Sequence, residues 1–346
     1  MTKRSRGILR WVLGGIMVVL IAAVVTVSLV AGRYITAFDN FLNKVTVGEA
    51  MNPGAEEVSL MDEPFIVYIS GSDSRGGIDD AARSDVNIVA VVNAIESKVL
   101  LVSIPRDTYV QLHGTEGLRD KLTHAGVYGV EMSKATIEDF LGVKIGYTMK
   151  VGFDTVVKIV DQIDGIEIYS DTAMSLGAEG KDKMCNYVVG TQVVDGDCAL
   201  RFARERKSYE TGDRHRGENQ EAVIAAIIAK MTGSQDYLLK VPEILDIAGE
   251  SLRTSFTKSD VTDMLRWQLL ERTKWEVEKY NIDGTGAMEP TYSMGADRPL
   301  YVMYADEATV AEAKAKITEY LMTEETESVA FDKPNGAEAT IDESSK

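Results

Sequence analysis

Phe65-Ile-Val-Tyr-Ile69, Asn87-Ile-Val-Ala-Val-Val-Asn93 and Lys98-Val-Leu-Leu-Val-Ser-Ile104 decide the fold. Each run is β-branched, apolar on successive residues and too short for a helix, so each reads as a strand. Apolarity on successive residues predicts a sheet buried on both faces, with helices covering it. Glu96-Ser97 reads as a tight turn that makes the second and third strands antiparallel. The apolar spacing then predicts helices over 133–141 and over 152–163, where Phe153, Val156, Val157, Val160 and Ile163 recur at three and four residues. Asp164-Gly165 ends the second, and 166–169 reads as another strand. Further helices are expected over 218–231, 237–248, 258–273 and 308–321, with weak strands between, all packed on one core. Alternating strands and helices make an α/β or α+β three-layer domain.

Working outward, the N-terminus sets the compartment. Lys3, Arg4, Arg6 and Arg10 precede a stretch, 11–32, with no charged residue. As a helix it spans roughly 33 Å, against a hydrocarbon core of about 30 Å. Ala31-Gly32 resembles a cleavage site, but the run is longer than a signal peptide's, so a retained anchor is favoured. By the positive-inside rule, 1–10 stays cytoplasmic and everything after the span lies outside. Residues 33–63 read as a linker with one short helix, 64–322 as the folded body, and 323–346 as a disordered acidic tail.

The chain has 346 residues, with 37 basic and 54 acidic side chains and a net charge of −17. So acidic a chain lacks the broad basic footprint of a nucleic-acid binder, and no nucleic-acid partner is expected. Two cysteines and three histidines leave little for a Cys/His metal site. Outside the cell Cys185 and Cys198 are expected to form a disulfide; the alternative is two unrelated buried thiols.

The charged residues between the first strands are grouped. Gly71-Ser-Asp73-Ser-Arg75 follows the first strand, Arg83-Ser-Asp85 precedes the second, and Pro105-Arg106-Asp107 follows the third. In an antiparallel arrangement these three Asp/Arg pairs meet on one sheet edge. The plainer reading is three surface ion pairs of little energetic weight. A second island holds Arg201, Arg204, Arg206, Lys207, Arg214 and Arg216 against Glu205, Glu210 and Asp213. Arginine forks suit phosphate oxygens. Aspartates with arginines and no histidine cluster suggest a hard cation such as Mg²⁺ bridging carboxylate and phosphate. No Gly-x4-Gly-Lys-Ser/Thr loop is present, so nucleotide binding is not expected. His113, His124 and His215 make no Ser/His/Asp case by spacing, and His124 reads as structural.

The ordered series Gly71-Ser-Asp-Ser-Arg75, Arg83-Ser-Asp-Val-Asn87, Val102-Ser-Ile-Pro-Arg-Asp-Thr108, Asp120-Lys-Leu-Thr-His-Ala125 and Ala199-Leu-Arg-Phe-Ala-Arg-Glu-Arg-Lys207 resembles the LytR-CpsA-Psr family. Gly152-Phe, Ile163-Asp-Gly-Ile166, Asp213, Arg216 and Gln220 continue it, so the likeness runs over about 65–232. The resemblance implies an α/β/α sandwich with a mixed central sheet, an apolar tunnel for a lipid tail and an N-terminal transmembrane helix. It implies transfer of an anionic glycopolymer, of teichoic acid or capsular type, from a polyprenyl-pyrophosphate carrier to peptidoglycan at the membrane lipid surface. By motif match Asp73 and Asp85 stand as Mg²⁺ ligands, with Mn²⁺ as an alternative ion. Arg83, Arg106, Arg204, Arg206, Arg216 and Gln220 stand as pyrophosphate contacts, with Asp213 orienting arginines. Asp107, or Arg75, stands beside Arg106 in catalysis as a group that activates the acceptor. The family's Arg-Gln-Gln appears here as Asn219-Gln220-Glu221. The rival functions are hydrolysis of the lipid pyrophosphate and non-catalytic polymer binding.

Overall fold

The structure, a computed structural model, describes residues 36–46, 60–72, 77–117, 119–177, 184–209, 213–233, 240–271 and 274–322. The expected membrane span at 11–32 and the acidic tail at 323–346 lie outside these residues. Among the described residues no helix is long and apolar enough to cross a membrane.

The three apolar runs are strands β1 (Phe65–Ser72), β2 (Val86–Asn93) and β3 (Lys98–Ser103). They pair antiparallel in sequence, with Ser70 opposite Asn87 and Ile88 opposite Ser103. Residues 94–97 make the turn: Ser97 has φ 59°, and Asn93 Oδ1 accepts from Glu96 N at 3.0 Å. Three more strands complete a six-stranded sheet: β6 (Tyr147–Gly152), β11 (Leu252–Thr254) and β12 (Glu276–Asn281), in the order β11-β6-β1-β2-β3-β12. β6 runs parallel to β1 and β12 parallel to β3, while β2 and β11 run the other way. The carboxyl ends of β1, β3, β6 and β12 therefore share one edge with the start of β2. In open α/β sheets that edge is where ligands bind.

Both faces are covered, which is why the strands read as continuous apolar runs. Ile66, Tyr68, Val89, Val91, Leu100 and Val102 pack with Ile137 and Leu141 of α3 (Val130–Leu141) and with Ala313 and Ile317 of α9 (Glu307–Leu321). The alternate residues Val67, Ile88, Ala90, Val99 and Leu101 pack with Met264 and Trp267 of α8 (Lys258–Glu271) and Ile224 of α6 (Asp213–Gly233). The fold is a mixed α/β sandwich, as expected. A side core joins α4 (Phe153–Gln162), β7 (Ile166–Ser170), β9 (Cys185–Tyr187), β10 (Gly190–Val194) and α5 (Gly196–Arg204) through Val160, Ile168, Tyr187, Val194 and Phe202. Within it Cys185 and Cys198 are disulfide-bonded, with Cα atoms 5.5 Å apart. The remaining short elements are β4 (Tyr109–Gln111), β5 (Arg119–Lys121), α2 (Leu122–Ala125) and β8 (Met174–Leu176).

Two expectations need correction, and the short helix expected within 33–63 finds its place. That helix is α1 (residues 36–45), whose Phe41, Leu42 and Val45 share a cluster with Ala248 of α7 (Val241–Ser251). Apolar residues at i, i+1 and i+4 give that short helix a face to bury. The helix expected over 237–248 is described only from Val241, with Pro242 in its first turn, the position proline tolerates, and it runs on to Ser251. Finally, α8 and α9 join the main core, but β13 (Gly284–Thr291) and β14 (Gly295–Ala305) form a separate hairpin that is mostly exposed.

Candidate functional site

The sheet edge is built by backbone bonds. Asp85 N donates to Gly71 O at 2.9 Å, and Ile104 N donates to Asn87 O at 2.9 Å. The end of β1, the start of β2 and the Pro105-Arg106-Asp107 loop are thereby held together. Beneath them Tyr68 OH donates to Asn87 Oδ1 at 2.7 Å and lies 3.0 Å from Ser84 Oγ, all fully buried. Within Arg83-Ser-Asp-Val-Asn87, therefore, Ser84 and Asn87 are the scaffold that holds Arg83 and Asp85 at the surface.

On that frame the charges alternate. Arg106 Nη1 donates to Asp85 Oδ1 at 2.7 Å, with about a quarter of each side chain exposed. Arg106 Nε lies 3.6 Å from Asp107 Oδ2, and Lys121 Nζ donates to Asp107 Oδ1 at 2.8 Å. Charge-assisted contacts this short in a partly dry setting are stronger than surface ion pairs. Lys121 lies in the Asp120–Ala125 motif, and only the fold brings it to Asp107, through the pairing of Tyr109 with Lys121. Arg83 is exposed on the same edge, two residues before Asp85.

The arginine island reaches this edge from α5 and α6. The Arg204 guanidinium sits 5.0 Å from the centre of the Phe153 ring. Phe153 Cε1 in turn lies 3.3 Å from where a Gly71 Cβ would stand. That places exposed Arg204 beside the end of β1. Gly217 of α6 packs on β3 and β12: a Cβ there would meet Asn281 Oδ1 at 2.7 Å and Ser103 Oγ at 2.9 Å. Buried Arg216 and Gln220 flank this contact. Arg206 is exposed in the turn after α5. Asp73 and Arg75 lie outside the described residues, as does the side chain of Asp213.

Asn219, the position where the resemblance implies an arginine, is buried here, and its Nδ2 donates to Phe202 O at 3.0 Å. It ties α6 to α5. Glu221 is also fully buried, with Oε2 accepting from Asn281 Nδ2 at 3.0 Å. Burial pushes its carboxyl up to about 9, against the opposing pull of the Asn281 bond. Sequence reading gave Glu221 no role.

The donor set at the edge fits a hard cation. A carboxylate that accepts one arginine bond keeps further lone pairs, and Mg²⁺ is commonly held by one or two carboxylates plus substrate phosphate and water. Asp85 meets that description, and Asp73 is one residue beyond the end of β1. Among the described residues no group of three or more His, Cys, Asp or Glu could hold a metal by itself. The fold does bring Asp120, His124 and Ser293 together, but both Asp120 Oδ1, at 2.6 Å, and Ser293 Oγ, at 2.9 Å, approach the same nitrogen, His124 Nδ1. A serine nucleophile needs the opposite ring nitrogen, so this is a structural lock rather than a triad. A cavity of about 440 Å³ lies between β7 and α6, with Ile168, Phe202, Ala222 and Ala226 among its walls.

Comparison with known proteins agrees with this architecture. A "Polyisoprenyl-teichoic acid--peptidoglycan teichoic acid transferase TagU" of Bacillus mycoides (strain KBAB4) is 32% identical over 262 residues, covering 75% of this chain and 83% of that protein. A protein of the same description from Halalkalibacterium halodurans is 32% identical over 237 residues, covering 67% and 73%. Among solved structures, B. subtilis TagV shares the fold with TM-score 0.61 at 24% identity, covering 75% of this chain and 97% of that one. TagT bound to LI-WTA has TM-score 0.59 at 25% identity, covering 80% and 98%. The profile of the LytR_cpsA_psr family matches residues 36–310, starting with α1. With the sheet edge, the arginine island and this match in agreement, the chain belongs to the LytR_cpsA_psr family.

Proposed function

We propose that this protein transfers an anionic glycopolymer from a polyprenyl-pyrophosphate carrier to peptidoglycan, outside the cell, by Mg²⁺-assisted phosphotransfer. The observation that carries the reading is the Arg106–Asp85 contact at the carboxyl edge of the sheet, in a chain whose relatives are named as teichoic acid transferases. In the reaction an acceptor sugar hydroxyl attacks the sugar-linked phosphorus. The bond to the second phosphate breaks, polyprenyl phosphate departs with the electron pair, and the hydroxyl proton passes to a base. Such a step gains mainly from positioning and from neutralising charge.

Each residue then has a role. Arg83 and Arg106 hold the diphosphate from the strand edge; Arg204, Arg206, Arg216 and Gln220 hold it from α5 and α6, with Asp213 orienting arginines. Asp73 and Asp85 would hold Mg²⁺ or Mn²⁺, which when bound neutralises diphosphate charge. Asp107 orients Arg106 and Lys121 and, with Arg75, is the candidate to activate the acceptor. The cavity, whose walls mix Ile168, Phe202 and Ala226 with Glu167, Asp171 and Glu218, lies against α6, the helix that carries Arg216 and Gln220, and its apolar side offers space for part of a lipid chain. The anchor at 11–32 keeps the site at the membrane where the carrier resides.

The test is Arg106→Ala in the full chain, given lipid-linked polymer and isolated peptidoglycan. Transfer is expected to fall by at least about a hundredfold, as for loss of one preorganised charge-stabilising donor. Undiminished polymer on the wall, or release of free polymer with none attached by the wild type, would refute the reading.

A further inference from the structure

The tip of the β13–β14 hairpin folds back onto the charged edge and is held there. Tyr292 N donates to Arg119 O at 2.9 Å, and Ser293 N donates to Asp120 Oδ2 at 2.8 Å. The other oxygen of Asp120 accepts from Lys121 N at 2.7 Å and faces His124 Nδ1 at 2.6 Å. Burial alone would push this carboxyl up, but the bonds from His124, Lys121 and Ser293 hold it below its ordinary range. An aspartate with no exposure at all thus uses its acceptors to hold a surface turn.

The same block is bonded to the site on two sides. Thr123 N donates to Arg106 O at 2.8 Å, and Ser84 N, between Arg83 and Asp85, donates to Thr123 O at 3.2 Å. Met303 N, at the base of the hairpin, donates to Asp107 O at 2.8 Å. The hairpin tip, Asp107 and Arg106 therefore form one rigid unit.

What the lock displays is aromatic. The rings of Tyr128 and Tyr292 stand 6.5 Å apart at 45°, an open wedge. They are 51% and 47% exposed, and their neighbours Val127 and Met294 are 45% and 38% exposed. An exposed apolar group beside a charged edge marks an interaction site. Tyrosine suits a sugar: its ring stacks on C–H faces while its hydroxyl bonds to other hydroxyls. An anionic lipid surface is disfavoured by the chain's net charge of −17. The α5–α6 arginines approach from the β1 and β12 side, whereas this wedge belongs to the block carrying Asp107 and Lys121.

We propose that the Tyr128–Tyr292 wedge is the docking platform for the acceptor glycan strand, set by the Asp120–His124–Ser293 lock at a fixed offset from Asp107. The proposal rests on the transfer reaction proposed above. The partner is a saccharide chain carrying the attacking hydroxyl, distinct from the lipid-linked donor.

The experiment compares the full-length chain in detergent with Tyr128→Ala/Tyr292→Ala, using lipid-linked polymer as donor and isolated peptidoglycan as acceptor. The double variant is expected to raise the apparent KM for peptidoglycan about tenfold and to weaken co-sedimentation with peptidoglycan similarly. Donor KM and donor hydrolysis without peptidoglycan stay unchanged, as does the melting temperature, because both rings are half exposed. Tyr128→Phe/Tyr292→Phe retains most of the binding, since stacking survives. An unchanged acceptor KM, or a rise in donor KM instead, overturns the platform while leaving the transfer reaction standing. Absence of transfer by the wild type overturns both.

Discussion

Glu221 is a carboxyl buried against Asn281, and the consequences can be worked out. The folded chain keeps its proton up to about pH 9, whereas the unfolded chain releases it near 4.5. The raised value means the contribution to stability is fully present in acid and is lost as pH rises through neutrality toward 9. The expected slope is about 1.4 kcal/mol per pH unit over that window. Glu221→Gln, which keeps an acceptor for Asn281 and cannot ionise, should flatten the curve. Denaturant melts of both proteins at pH 6 and pH 8.5 check this; parallel loss in the two would refute it. Arg106 is different in kind, because its contact with Asp85 is made at the partly open edge, and its loss should lower stability by about 1–3 kcal/mol while leaving the chain folded. Asn219 belongs to the scaffold, since its amide donates to the Phe202 carbonyl.

Helix α1 is an element whose importance only packing reveals. Leu42 and Val45 are buried at 2% and 0% exposure in a cluster with Ala248 of α7. Leu42→Ala should cost about 2–5 kcal/mol, the usual range for a truncated core leucine, measured by equilibrium unfolding. A loss below about 1 kcal/mol would mean that α1 is a dispensable tether. The disulfide joins β9 to α5, the helix that ends in Arg204, and closes a loop with a sequence separation of 13. Cys198→Ser should lower stability by about 3 kcal/mol. Transfer activity of the reduced chain should fall on warming before that of the oxidised chain, because α5 carries a diphosphate contact.

For the molecule as a whole the prediction concerns the ion. Asp85 is already engaged by Arg106, and the described residues hold no complete metal cage, so a cation would bind mainly when the diphosphate completes its shell. Chelation should therefore abolish transfer yet leave the melting temperature of the ligand-free chain unaltered, with Mg²⁺ or Mn²⁺ restoring activity. Transfer that persists in excess chelator would rule out the ion. The proposed anchored topology has its own check: in intact cells, protease added outside should remove a C-terminal tag.

Sequence alone did not show β6, or that β7 pairs with β10 outside the central sheet. It determined β1, β2 and β3, their burial on both faces, their antiparallel order and the gathering of Asp85 with Arg106. These follow from local apolar runs and from turn residues, and antiparallel neighbours inherit their edge from connectivity. The cysteine pair was legible too, from number and compartment. Tertiary structure alone decided that Lys121 meets Asp107, that Ser293 meets Asp120, that Asn219 and Glu221 are interior, and that β13 and β14 form their own two-stranded sheet rather than joining the central one. Those contacts join residues up to 173 positions apart. No period encodes them, because they arise only when loops close and side chains compete for the same buried space.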